Sequence, residues 1–276
     1  MKPAIALVVV LLAAVIVAGC GGGSSDGSSN DGQGSCAYTS CATLAGYPYV
    51  VHQPAGYDGS QPMLLLLHGA GVGREQTEAM WHARALADSD QLLLVIPSAG
   101  VWNYSDDVQF VADLIDQVRG DFGAGEHVFV AGWSNGSQLA QLVACEQSAA
   151  VTGVISFAGQ MFAKRSCNPS ADVAVSLLHH SGDTVVRIGG GSFGALSLSD
   201  NFALWQRLNG CSASTHSSEP FALEASNNAV TIWAEECRAP VEMTVMTGGA
   251  HQAYWQAQEI HRLLRDFMAR SIAAEF

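Results

Sequence analysis

The stretch that decides the fold is HVFVAGWSNGSQLA, residues 127–140. Its first half, HVFVAG, is a short run of β-branched and aromatic residues suited to a strand. Its continuation, NGSQLAQLVACE, returns Leu139, Leu142 and Val143 to one face at helical spacing. Between them lies Gly132-Trp133-Ser134-Asn135-Gly136, the pattern G-x-S-x-G, which marks a serine on a sharp turn from strand to helix. The letters alone do not select that serine, because GSSDG around Ser25 and GGSFG around Ser192 match equally well. Context separates them. Only Ser134 has a strand entering and a helix leaving, and there the glycines have a physical role. Side chains at 132 and 136 would collide with the neighbouring helix and strand.

Outward from this turn the chain alternates between strand and helix patterns. YPYVVHQP, from Tyr47, reads as a strand closed by Pro54, and MLLLLHG, from Met63, as a strand buried on both faces. A helix over 75–87 follows, then the buried strand LLLVIP at 92–97. The next helix has Ser105 as its expected cap, Asp106 and Asp107 in its first turn, and its end near Gly120. Beyond the Ser134 turn, strands are expected in VTGVISFAG, VAVSLLHHSG and VEMTVMTGG, and helices over 200–208 and 252–269. This order predicts an α/β fold with a mostly parallel central sheet and helices on both faces, in one domain over 36–276. Position 134 then falls at the carboxyl end of a central strand, where open α/β sheets carry their sites. The positive end of the following helix faces any oxyanion formed there.

A serine nucleophile needs a base, and the base needs an orienting acid. LLHHSGDTVV puts Asp183 just beyond one strand, and VMTGGAHQAYW puts His251 just beyond the next strong apolar strand, in the order serine, acid, histidine. Singly, Asp183 reads equally as a turn former and His251 as a helix-start residue. Jointly with Ser134, order and strand-end position point to a Ser134, Asp183, His251 triad. Of the adjacent His179 and His180, one is expected to be buried in the strand and the other to support the loop. The expected oxyanion donors are the backbone N–H groups of Asn135 and of Ala70 in LLHGAGVG, where Gly71 and Gly73 permit close approach. Trp102, Trp133, Tyr254 and Trp255 are candidates for an apolar wall around the acyl group, with core packing as the alternative for each. RIGGGSFGALS also matches G-x-G-x-x-G at 189–194, but no strand leads directly into it. It reads as a mobile loop near the rim of the site.

The chain opens with MKPAIALVVVLLAAVIVAGC, a basic start and an unbroken apolar run over 4–18. This predicts an export signal over 1–19, with an uncleaved membrane anchor as the alternative. VAGC, 17–20, resembles a bacterial lipoprotein box, which implies cleavage before Cys20, lipidation of its thiol, and a membrane partner at the outer membrane or cell surface, with release as a secreted protein as the alternative destination. The residues that follow, GGGSSDGSSNDGQGS, contain nothing apolar. They read as a flexible linker, 20–35 with the cysteine, whose reach is roughly 20 Å. Ser25 lies within it, without the rigid neighbours a nucleophile requires. Cys20 apart, six cysteines remain, with no metal-ligand spacing among them. Spacing leaves many pairings open, and nearest neighbours are the economical choice: Cys36–Cys41, Cys145–Cys167 and Cys211–Cys237. The net charge of -13 argues against nucleic acid. No metal or cofactor is expected, and the protein is expected to be a monomer.

DVQFVADLIDQVRGDFGAGEHVFVAGWSNGSQLAQLVAC, LLLLHGAG, the Asp183 loop, WQRLNGC and GGAHQAYW together resemble the polyhydroxybutyrate depolymerase and feruloyl esterase group of α/β-hydrolases. The resemblance covers nearly all of 44–276. It implies an α/β-hydrolase fold and a serine esterase with Ser134, Asp183 and His251 as its triad, and it supports the pairings Cys145–Cys167 and Cys211–Cys237. Three positions depart from the group: His180 stands where a glycine is usual, Ser137 where another small residue is usual, and Trp255 has no proline after it. These change the surroundings of the triad, so the substrate preference does not transfer. The implied reaction is two-step acyl transfer from a carboxylic ester, either a polyester such as polyhydroxybutyrate or a feruloyl or acetyl ester of a polysaccharide. The short gaps between elements leave little room for a large lid. A serine peptidase, an acyltransferase of the same fold, and a non-catalytic ligand-binding surface lipoprotein are the competing readings.

Overall fold

The computed structural model describes residues 36–223, 226–251 and 258–274. The chain divides into a unit Met1–Ser35 and a unit Cys36–Phe276. The expected signal segment, Cys20 and the linker lie outside the described residues, as do Tyr254 and Trp255. The strands are β1 (Ser40–Leu44), β2 (Tyr47–His52), β3 (Met63–Leu67), β4 (Leu93–Pro97), β5 (Val128–Trp133), β6 (Gly153–Phe157), β7 (Ala174–His180), β8 (Thr215–Ser217), β9 (Phe221–Leu223), β10 (Ser226–Ala234) and β11 (Val241–Met246). The helices are α1 (Arg74–Trp81), α2 (Ala83–Asp90), α3 (Asp107–Phe122), α4 (Asn135–Glu146), α5 (Leu198–Leu208) and α6 (Gln258–Ala273).

The strands form one sheet in the order β1-β2-β4-β3-β5-β6-β7-β11-β10-β8, with β9 paired to β10. Its centre, from β4 to β11, is parallel. Antiparallel strands finish both edges. The residues of β3 show why helices must cover both faces: Met63, Leu65 and Leu67 enter one core, Leu64 and Leu66 the other. The first core includes Val111, Leu114 and Ile115 of α3, Leu142 of α4 and Trp205 of α5. The second includes Trp81 of α1, Leu86 of α2, and Leu264 and Phe267 of α6. Each fully buried leucine stabilises by about 1.5–3 kcal/mol.

Local departures from the sequence reading have local causes. The single helix expected over 75–87 is two, because His82 adopts the left-handed conformation (φ 44°, ψ 45°) and its N–H caps α1 on the Ala79 carbonyl. No glycine or proline marks that break. The N-cap of α3 is Asp106 rather than Ser105, and α3 passes Gly120 to end at Gly123, whose φ of 63° terminates it. α5 starts at Leu198, where the Ser197 side chain accepts from the Asp200 N–H. Cys36 is bonded to Cys41, Cys145 to Cys167, and Cys211 to Cys237. The second bridge ties the end of α4 to the loop after β6, and the third ties the end of α5 to the turn between β10 and β11.

Candidate active site

The end of β5 delivers Ser134 in a strained conformation, φ 54° and ψ -117°, at a cost of about 1–3 kcal/mol. Its N–H donates to the Phe157 carbonyl at 2.8 Å, and its carbonyl accepts from the Gln138 N–H at 3.1 Å. A Cβ on Gly132 would strike the Gly136 carbonyl and the Ser137 nitrogen; one on Gly136 would strike the Leu67 and His68 carbonyls. Backbone occupies the space on both sides, so only glycine fits at either position.

His251 bridges Ser134 and Asp183. Its Nε2 lies 2.8 Å from Ser134 Oγ, and its Nδ1 lies 2.7 Å from Asp183 Oδ2. A carboxylate accepts, so the proton resides on Nδ1 and Nε2 is free to take the serine proton. Asp183 Oδ1 accepts from the Val185 and Val186 N–H groups at 2.8 and 3.0 Å. His179 Nε2, 2.8 Å from the Val186 carbonyl and 3.3 Å from Asp183 Oδ2, shares its N–H between the two acceptors. Burial alone would raise the Asp183 carboxyl, but hydrogen bonds from His179 and His251 and the backbone outweigh it and hold the group well below the usual carboxylate range.

The two loops carrying Asp183 and His251 are laced together. Gly182 N–H donates to the Gly248 carbonyl at 2.8 Å, and Gly248 N–H donates to Ser181 Oγ at 2.9 Å. A Cβ on Gly182 would meet the Gly249 carbonyl at 2.5 Å, and the His180 ring fills the space where a Cβ on Gly249 would stand. His179 and His180 are therefore both buried in β7, and each supports a loop, which the division of labour expected from sequence did not anticipate. Burial, with the neighbouring His179, pushes the His180 imidazole below its ordinary value.

On the other side of Ser134 stand the Asn135 N–H, at the start of α4, and the Ala70 loop. Among the described residues neither the Ala70 nor the Asn135 N–H donates to another group. His68 shapes the Ala70 loop: Nδ1 donates to the Gly69 carbonyl and Nε2 accepts the Ala99 N–H, each at 2.8 Å. Burial lowers the affinity of His68 for a second proton, which suits an accepting Nε2. Trp102 Nε1 donates to the His68 carbonyl at 2.8 Å, and Gly71 N–H donates to the Gly100 carbonyl at 2.9 Å. Asn135 Oδ1 accepts the Trp102 N–H at 2.8 Å, and its Nδ2 donates to Tyr104 Oη at 2.5 Å.

Ser134 and His251 open into a cavity of about 540 Å³, walled by Trp102, Tyr104, Trp133 and Phe162. Trp133 does more than line it. Its Nε1 donates to the His251 carbonyl at 2.8 Å, its ring lies 5.2 Å from the imidazole, and Gly69 packs against its face. Trp102 is only 2% exposed and packs beside His68, so it is part core and part wall. Gln138, Val185 and Phe193 also line the cavity; Phe193 comes from the GGSFG loop expected at the rim, whereas Tyr104, Gln138 and Phe162 carry no sequence motif of their own.

A parallel sheet flanked on both faces, with a strained serine turn at the end of β5 and acid and histidine loops after β7 and β11, defines the α/β-hydrolase fold. The solved structures that resemble this chain share that fold. They include an acetyl xylan esterase from Aspergillus awamori (TM-score 0.62, 12% identity, 81% of this chain and 94% of that one). A poly(3-hydroxybutyrate) depolymerase from Bordetella parapertussis aligns with TM-score 0.52 and 16% identity over 82% of this chain and 90% of that one. In sequence, the chain is 28% identical over 102 residues to the bifunctional acetylxylan esterase/xylanase XynS20E of Neocallimastix patriciarum. That match covers 34% of this chain and spans 15% of the length of the larger protein. No protein-family model matches the chain.

Proposed function

We propose that the protein is an extracytoplasmic carboxylic ester hydrolase that works through an acyl-enzyme on Ser134. The observation that carries this reading is the chain of contacts from Ser134 Oγ to His251 Nε2 at 2.8 Å and from His251 Nδ1 to Asp183 Oδ2 at 2.7 Å. Ser134 Oγ attacks the ester carbonyl carbon as its proton passes to His251 Nε2, and Asp183 stabilises the imidazolium. The Asn135 and Ala70 N–H groups, without other acceptors among the described residues, receive the tetrahedral oxyanion. His251 then gives its proton to the leaving alcohol. Water attacks the acyl-enzyme with His251 again as base, and the acid leaves as the proton returns to Ser134 Oγ.

Two acyl-ester enzymes among the fold relatives support an ester substrate, with polyesters and acylated polysaccharides as the candidates. The three disulfides suit an oxidising compartment, in keeping with an export signal over 1–19 and lipidation of Cys20. Turnover of aryl acetates and butyrates, feruloyl esters, hydroxybutyrate oligomers and aromatic polyesters by wild type and Ser134→Ala tests the reading. Loss of roughly 10⁴-fold or more in kcat is expected in the variant. Equal turnover by the two proteins would sink it, and faster turnover of matched amides would make it a peptidase.

A further inference from the structure

The GGSFG loop around Ser192, which matches the serine-turn pattern only in its letters, bears on what the cavity accepts. Among the described residues the large hydrophobic side chains left exposed are Val101, Val185 and Phe193, at 63%, 48% and 74%. All three line the cavity that holds Ser134 and His251. They reach it from two segments, Val101 from the loop after β4 and Val185 and Phe193 from the connection between β7 and α5. Single exposed hydrophobics are ordinary, but three that converge on one cavity mouth from two segments are not scatter.

Phe193 is held there at a conformational cost. It has φ 52° and ψ 21°, a left-handed backbone that an aromatic residue rarely adopts, between Gly190, Gly191 and Gly194, all at positive φ. The base of the loop is fixed: Gly191 N–H donates to the Ala195 carbonyl at 2.9 Å, Ala163 N–H to the Gly194 carbonyl at 3.0 Å, and Leu196 N–H to the Met161 carbonyl at 2.8 Å. Ser192 has a local task, accepting the Arg187 N–H at 3.1 Å. A pinned loop thus presents an aromatic ring to solvent beside the reacting serine.

Among the described residues the lining includes no Lys, Arg, Asp or Glu, so it offers no permanent countercharge to a carboxylate or phosphate on a ligand. A space of about 540 Å³ is far more than an acetyl group occupies and falls in the range of roughly 300–1,000 Å³ typical of drug-sized ligands. We infer that Phe193 is a specificity-determining residue. With Val101 and Val185 it receives an uncharged apolar group, larger than acetyl, that the ester carries out of the cavity mouth. This inference rests on the ester hydrolase reading.

Two matched series test it: p-nitrophenyl acetate against p-nitrophenyl octanoate, which varies the acyl side, and ethyl acetate against benzyl acetate, which varies the alcohol side. Wild type is expected to prefer the larger member of at least one series by roughly tenfold or more in kcat/KM. Phe193→Ala is expected to lose most of that preference and Phe193→Leu to keep part of it. The series affected identifies which side of the ester the rim receives. No size preference in wild type, or the same preference in Phe193→Ala, overturns the inference while leaving the hydrolase reading intact. Labelling of Ser134 by a fluorophosphonate is read in parallel. Absence of both labelling and turnover defeats the hydrolase reading, and the inference falls with it.

Discussion

His179 gives the Asp183 carboxylate a second imidazole neighbour, 3.3 Å away, yet it does not line the cavity. It is therefore a positioning residue, and its effect belongs in kcat rather than KM. His179→Phe is expected to lower kcat by about tenfold, the equivalent of one lost hydrogen bond to a charged group at about 1.5 kcal/mol. His179→Gln, which keeps a donor, recovers part of the loss. The sign of the pH effect follows from Asp183, whose carboxyl is held below its ordinary 3.8. A depressed carboxyl contributes stability above its unfolded value that is lost as pH falls below it. Without His179 the folded value rises towards the unfolded one, so the variant loses less stability than wild type as pH falls below about 3.8. A variant with altered KM, unchanged kcat and an acid-unfolding curve parallel to that of wild type would contradict the assignment. Ser134, Asp183 and His251 were legible because each sits at a strand end marked by glycine-rich sequence. His68, Tyr104 and Trp133 act through partners far away in the chain, such as the Ala99 N–H for His68 and the His251 carbonyl for Trp133, and spacing carries no trace of those bonds.

The sheet shows the same division between its centre and its edges. The central strands were legible as continuous apolar runs because both faces are buried, as in β3 and β4. At the edges, β8 is exposed throughout and β1 alternates, so neither carries an apolar run to betray it. Besides the ladder between β10 and β11, a buried carboxylate ties the β10 edge to the body of the fold. Glu242 in β11 accepts from Ser176 in β7 and Trp233 in β10, each at 2.9 Å, and pairs with Arg270 in α6. Burial pushes this carboxyl above its ordinary 4.5, against the pull of Arg270 and the other donors. A raised folded value means that the native state binds the proton more tightly. The associated stability is fully present below about 4.5 and is lost as pH rises through the folded value. Glu242→Gln removes that titration. Denaturant melts at several pH values above 4.5 should show wild type losing stability relative to the variant as pH rises, and parallel curves would refute the origin proposed for this slope.

For the whole molecule, every group named in the proposed mechanism lies within 36–276, and the three disulfides close loops inside the same span. The segment 1–35 contributes none of them, so on the lipoprotein reading its chemistry concerns where the enzyme works rather than how. An apolar run over 4–18 followed by VAGC has two physical outcomes. If the run is cleaved and Cys20 is lipidated, the acyl chains alone hold the protein at the membrane, since the residues from Gly21 to Ser35 have no apolar surface to contribute. If it is left in place, the run itself is the anchor and the thiol is irrelevant. Cys20→Ser separates the two. The lipoprotein reading predicts that the variant leaves the membrane pellet or stays as an unprocessed precursor without incorporated palmitate. Its kcat/KM on a dissolved ester should match wild type, because no group of the site has changed. Membrane retention with unchanged mass and no palmitate in either protein would establish the uncleaved anchor. For an insoluble ester the two proteins should diverge, because tethering raises the local concentration of the cavity mouth at one surface and depletes it everywhere else.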